Sequence, residues 1–119
     1  MRDFRNLKVW QKAHELTLMI YRETRGFPRD ELYGLTSQLR RGASSIPANV
    51  AEGCGRSTDR DFARFLDVAA GSGSELEYHL LLSRDLGLLE QPAYEDLHDR
   101  TTEVKRMLNG LIQRLRADR

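Results

Sequence analysis

The sequence is short of nearly everything that marks a reaction centre. It has one cysteine, Cys54, which has no partner within the chain for a disulfide. A disulfide-stapled scaffold is therefore excluded, and a lone thiol agrees with a reducing compartment. Only three prolines are present and aromatic residues make up 8%, which excludes collagen-like and low-complexity classes. No apolar run approaches the roughly 20 residues that cross a bilayer. Met1-Arg2-Asp3-Phe4-Arg5 is charged and is not followed by the apolar core of a signal peptide, so a cytoplasmic location is expected. Net charge is only +1, which gives no strong global pull towards nucleic acid. No segment alternates as a strand would.

What remains is helix. The 119 residues suit a single domain, 1–119, with one core. Hydrophobic residues are 39% and charged residues 31%, as in bundles whose helices each bury one stripe. Val9, Ala13, Leu16 and Ile20 form the first seam, predicting a helix over about 6–25. Gly26, Phe27 and Pro28 stop it, with Gly26 suited to a left-handed cap. A second helix is predicted over 30–53, with Asp30 as N-cap and Leu32, Leu35, Leu39, Ile46 and Val50 inward. Pro47 falls inside it, removes a backbone donor and crowds the carbonyl of Ala43, so a kink is expected.

The third helix, 58–86, is the most regular: Phe62, Leu66, Ala69, Gly73, Leu76 and Leu80 step by four and three. Thr58 can cap it, with Asp61 in the capping-box position. The run Ala69-Ala70-Gly71-Ser72-Gly73-Ser74 is a poor helix former. Tight packing must hold it, with the small residues around Pro47 as the expected neighbour. The fourth helix, 92–116, starts at Pro92 and buries Leu97, Thr101, Val104, Leu108, Leu111 and Leu115. Arg114, Arg116 and Arg119 sit at the negative end of its dipole. Short connections make sequential helices antiparallel. The expectation is all-α, an up-down-up-down antiparallel four-helix bundle.

The chemistry-bearing groups are sparse. A di-iron bundle needs two Glu-x-x-His pairs and two further Glu; only Glu95 and His98 make such a pair, while Glu75 lies one turn before His79. Arg56 beside Cys54 offers a cation that lowers a thiol pKa, but no base or oriented site accompanies it. No catalytic residues, no metal ligands and no cofactor are assigned, and the chain is expected not to be an enzyme. The polar set Asn49, Glu52 and Arg56 shares one side of the second helix. It reads as a structural network that fixes the next loop, with Glu75 or Arg40.

The basic residues are mostly arginine, with lysine only at Lys8, Lys12 and Lys105. Arg56, Arg60 and Arg64 repeat every four residues, Arg40 and Arg41 are adjacent, and Lys8 and Lys12 line the first helix. Residues 1–60 hold 11 basic against 7 acidic side chains, and residues 61–119 hold 8 against 11. These seven cations are the candidate phosphate contacts. Trp10, Thr17 and Tyr21 form a second stripe on the first helix, and its aromatic members Trp10 and Tyr21, with Tyr33 nearby, are the candidate oligomer interface.

A longer pattern runs through the chain. It comprises Phe4, Leu7-Lys8-Val9-Trp10, Ala13, Phe27-Pro28, Glu31, Tyr33-Gly34-Leu35, Gln38-Leu39-Arg40-Arg41 and Ser45-Ile46. It continues through Asn49-Val50-Ala51-Glu52-Gly53, Arg56, Phe62, Phe65-Leu66, Gly71-Ser72 and Glu75-Leu76-Glu77. Together these resemble the four-helix-bundle proteins encoded in intervening sequences of bacterial 23S ribosomal RNA genes. The resemblance implies a homo-oligomer, a pentameric ring. The fold also resembles the accessory protein of diversity-generating retroelements, which is basic and works with a reverse transcriptase and RNA; this chain departs from it in being nearly neutral. Three functions are carried forward: a ring-forming scaffold that binds RNA or a nucleoprotein, a protein-interaction module without nucleic acid, and a metal-dependent bundle enzyme. No membrane contact and no small-molecule substrate are expected.

Overall fold

The computed structural model describes residues 2–117. Four helices follow one another: α1 Lys8–Thr24, α2 Leu35–Cys54, α3 Asp59–Asp85 and α4 Gln91–Ala117. Short 3-10 turns at Phe4–Asn6 and Arg29–Glu31 precede α1 and α2. Each helix packs on the next and α4 closes against α1, in a body of 47 × 21 × 20 Å. This is the expected up-down four-helix bundle. Val9, Ala13, Leu16 and Ile20 of α1 meet Leu39, Ala43, Ile46 and Val50 of α2 in one core. The full seam predicted for α3, from Phe62 to Leu80, is buried.

Three local expectations are corrected. Asp30 does not cap α2. The chain makes a 3-10 turn after Pro28, and Glu31 takes the capping role, its Oε1 accepting from the backbone N–H of Leu35 at 3.0 Å. The start of α2 moves to Leu35, which turns Leu32 out of the core to 44% exposure. Gly26 does not adopt the left-handed conformation; Gly87 does, at φ +78°. There the Leu88 N–H reaches Ser83 O and the Gly87 N–H reaches Arg84 O, both at 2.9 Å, closing α3 with a Schellman turn. On α4, Ile112 is buried and Leu111 is only half-buried. A straight helix drifts by about 20° per heptad relative to a strict seven-residue stripe, so over 27 residues the neighbouring position rotates inward. Arg119, expected at the end of α4, lies outside the described residues.

Pro47 sits inside α2 without ending it. It has no N–H to give the carbonyl of Ala43, and Ala43 is fully buried. Thr17 of α1 supplies the missing donor. Its hydroxyl proton is shared between Ala13 O of its own helix, at 2.8 Å, and Ala43 O, at 3.1 Å. One turn away, Arg40 Nε donates to Thr24 Oγ1 at 2.8 Å and its guanidinium covers Tyr21. The first two helices are thus fixed to each other by polar contacts as well as by packing.

The small residues of α3 divide their tasks. Ser72 meets Ser45 of α2 hydroxyl to hydroxyl at 2.5 Å, which places part of the run against the Pro47 region as expected. Gly73 mainly makes room for α4: a Cβ there would come 2.9 Å from Lys105 Cγ. Gly71 faces open space. At the far end of α2, a Cβ on Gly53 would come 2.8 Å from the Phe62 ring and 3.0 Å from Phe65 Cβ. Glycine permits that close crossing.

Two alanine substitutions should therefore move stability in opposite directions in urea denaturation. Gly53→Ala overpacks the α2–α3 crossing and should cost about 1–3 kcal/mol. Gly71→Ala meets nothing and should gain about 0.4–1 kcal/mol through helix propensity. Equal effects at both sites would contradict the packing described.

Candidate functional site

The arginine end of the bundle lies where α2 passes into α3. Thr58 Oγ1 accepts from the Asp61 N–H at 3.1 Å and starts α3 at Asp59. Arg56 therefore precedes the helix, and only Arg60 and Arg64 keep the expected four-residue stacking. Asp61 does not complete a capping box; its carboxylate takes Arg64 at 3.0 Å and Arg56 at 3.8 Å. Arg56 also pairs with Glu52 at 3.0 Å. Both guanidinium groups lie over the Phe65 ring, 4.7 and 4.5 Å from its centroid. Arg2 repeats the pattern on Asp59 and Phe62, and Arg116 of α4 pairs with Asp67. The uniform basic edge expected from spacing is thus an arginine–carboxylate–phenylalanine cluster. Each such pair is worth about 0–1 kcal/mol at the surface, so it can open at small cost. Arg60 alone of the three makes no ion pair among the described residues.

The other candidate cations also separate. Arg40 is half-buried and holds Thr24 and Tyr21, whereas its sequence neighbour Arg41 is exposed. Adjacent helical residues differ by about 100° around the axis. Lys12 pairs with Glu103 of α4 at 3.6 Å, and Lys8 stays exposed at the start of α1. Of the seven, Lys8, Arg40, Arg41 and Arg60 have no acidic partner among the described residues, and Arg40 is already engaged by Thr24 and Tyr21.

The aromatic residues do not form one surface. Trp10 is half-buried between Phe4, at 5.0 Å, and His14, stacked at 4.9 Å. Tyr21 and Tyr33 lie at the other end of α1. Tyr33 is 93% exposed and Tyr21 41% exposed. They flank a groove of about 310 Å³ with Leu32, Thr36, Arg40 and Arg41. Leu32, read from the sequence as core, joins this surface because Glu31 and not Asp30 caps α2. The Glu-x-x-x-Leu spacing after Pro28 was the available signal.

The polar network expected from Asn49, Glu52 and Glu75 does not assemble within one chain. Asn49 Nδ2 donates to Ser45 O at 2.7 Å on its own helix. Glu52 is exposed and pairs with Arg56. Glu75 is exposed and has no bonding partner among the described residues. Helical spacing placed Asn49 and Glu52 on one side of α2, and Glu52 does meet Arg56 there, but Glu75 of α3 joins neither.

No group of three or more His, Cys, Asp or Glu side chains is placed to hold a metal among the described residues. No described helix is long and apolar enough to cross a membrane. Cys54 is 1% exposed, and burial pushes its thiol pKa up. Arg2, not Arg56, is the cation that opposes the shift. A buried thiol with a raised pKa is the reverse of an activated nucleophile.

The least exposed charged contact is Glu77 with Lys105, at 2.8 Å. Its hydrogen bond holds the Glu77 carboxyl below its ordinary 4.5, and His98 lies 3.9 Å away on the other oxygen. A lowered folded pKa contributes stability above 4.5 that is lost as pH falls through the folded value. Lys105→Met keeps the stem over Gly73 and removes the charge. It should cost up to about 1 kcal/mol at pH 7, and the difference from wild type should vanish well below the carboxylate range in acid denaturation. A difference that persists there would mean packing, not the ion pair, carries the contact.

Comparison with known proteins agrees with this fold. The model of the 23S rRNA-intervening sequence protein family matches residues 5–110. The chain is similar to a protein of unknown function from the S23 ribosomal protein family of Bacteroides thetaiotaomicron, known from a crystal structure. The two share 25% identity and a TM-score of 0.79, over 87% of this chain and 97% of that one. No curated protein matches the sequence. The family match spans all four helices, including most of α4, where the sequence offered periodicity alone; the chain belongs to the 23S rRNA-intervening sequence protein family.

Proposed function

We propose that this protein is a non-enzymatic, self-associating scaffold whose assembled form contacts RNA. The observation that carries the reading is the exposed apolar end of the α1–α2 hairpin. Tyr33, Leu32 and Tyr21 are 93%, 44% and 41% exposed and flank one groove. Burying such a side chain is worth about 1.5–3 kcal/mol. Association costs at least about 4 kcal/mol in lost freedom, so the patch supports assembly only when all three side chains are covered together. A head-to-tail contact through this patch closes into a ring if its rotation permits. The pentamer implied by the family resemblance is the ring we favour.

The RNA reading rests on Lys8, Arg41 and Arg60. They are the exposed candidate cations that the fold leaves without an acidic partner among the described residues. A ring repeats them in every copy and sums their field, which a nearly neutral monomer lacks. The protein-only reading is supported by the same Tyr33 patch and differs only in the absence of a phosphate contact.

Light scattering at high micromolar concentration should give a multiple of the chain mass for wild type. The Leu32→Ser, Tyr33→Ser double variant should give the monomer with an unchanged melting curve. A monomeric wild type overturns the scaffold. Fluorescence anisotropy with single-stranded RNA should show binding at about 50 mM salt, with the salt slope falling by about 1 for each of Arg41→Ala and Arg60→Ala. No binding under those conditions removes RNA and leaves the protein-only module.

A further inference from the structure

The groove between α1 and α4 changes character along its length. Its upper half carries Asp96, Asp99 and Glu103 together with Lys12, Arg100 and Arg106. There the charges are largely matched: Lys12 pairs with Glu103, and Arg100 pairs with Asp96 and Glu15. Its lower half is a cleft of about 390 Å³ with no acidic residue in its lining. Lys8 of α1 and Arg106 and Arg114 of α4 rim it. None of the three has an acid within ion-pair distance among the described residues, although most arginines at the α2–α3 end are paired. The floor is aliphatic: Leu7, Met107 and Leu111, each half-buried, with Val9 beneath. Gly110 opens it further. A Cβ there would meet nothing within 4 Å, so no packing within the chain asks for glycine at a mid-helix position that costs about 1 kcal/mol relative to alanine.

We propose that this cleft docks an acidic, amphipathic helical segment of a partner protein. Charge complementarity selects the sign: three cations and no acid line the cleft itself. The floor selects the class. Leucine and methionine side chains accept an apolar helix face, and methionine adapts to its shape. Single-stranded RNA gains little from an aliphatic floor, since its bases seek aromatic or arginine faces to stack on, and the floor holds no aromatic ring. Arg106 to Arg114 spans about 12 Å along α4, the length of two turns of a docked helix. The site is separate from the assembly surface: along α1, Lys8 and Tyr21 stand about 20 Å apart. The proposal therefore stands whether or not the chain forms a ring.

The test uses a fluorescein-labelled peptide of about four helical turns, with leucine on one face and glutamate elsewhere. Two control peptides carry lysine in place of glutamate, or serine in place of leucine. Anisotropy against the full chain should show binding of the acidic leucine peptide alone. Gly110→Leu fills the floor and should weaken binding about tenfold or more, while its melting temperature is unchanged or raised. Arg106→Glu should weaken binding comparably. Equal binding of the serine peptide, or wild-type affinity in Gly110→Leu, overturns the proposal. So does an RNA oligonucleotide that binds with the same Gly110 sensitivity, which would make the cleft a nucleic-acid site. The Leu32→Ser, Tyr33→Ser variant should bind the peptide as wild type does. Binding only in that variant would mean that a second copy fills the cleft, and would also overturn the proposal.

Discussion

The carbonyl of Ala43 must find a hydrogen bond, because Pro47 has taken away the one its helix would give and the position is closed to water. An unsatisfied buried acceptor costs about 1–3 kcal/mol, a large part of the margin of a small domain. The Thr17 hydroxyl meets the demand from the neighbouring helix. That bond fixes the height of α1 against α2 at mid-bundle. It sets the register that lets Arg40 reach Thr24 and Tyr21 further along. A side chain inside the core thus determines which aromatic and basic groups stand together on the surface.

From that fixed hairpin the other two helices follow. Residues with little or no side chain let α2 and α3 cross closely at Gly53 and at the Ser45–Ser72 contact. Gly73 then admits the Lys105 stem from α4, which carries its charge out to Glu77. At the α2–α3 end the arginines are drawn onto Phe62 and Phe65 and held by acids of the same helices. Exposure of charge and availability of charge therefore differ. The cations left over, Lys8, Arg41, Arg60, Arg106 and Arg114 among them, lie on several faces. That dispersion is why assembly matters to the nucleic-acid reading, and why the apolar floor beneath Lys8, Arg106 and Arg114 points to a protein segment instead.

Much of this was legible in the residues. The seam of α3 is a four-three repeat in which even Gly73 keeps its place, so periodicity overrode poor local propensity. The Pro47 constraint was legible as a freed carbonyl at Ala43, but its donor was not. Thr17 appears in sequence only as a polar member of a stripe, and nothing local says that α1 will pass at that height. Leu32 was misread because an alternative cap, Glu31, four residues before the first helical residue, outcompeted Asp30. The basic edge was misread because spacing cannot show that Asp61 and Phe65 bend Arg56 and Arg64 inward. Asn49 and Glu52 share a face of α2, but a shared helix face says nothing about what stands opposite it, and Glu75 of α3 joins neither.

The dependence of the bundle on one hydroxyl can be measured directly by a double-mutant cycle in urea. Thr17→Val alone should cost about 1–3 kcal/mol, because Ala43 O is left without a donor. In the Pro47→Ala background the restored N–H of residue 47 serves that carbonyl, and Thr17→Val should cost much less. A coupling of about 1 kcal/mol or more between the two positions is the expected result. Additive effects, with Thr17→Val equally costly in both backgrounds, would show that Thr17 stabilises the bundle by packing alone and would contradict the central role given to the Ala43 carbonyl.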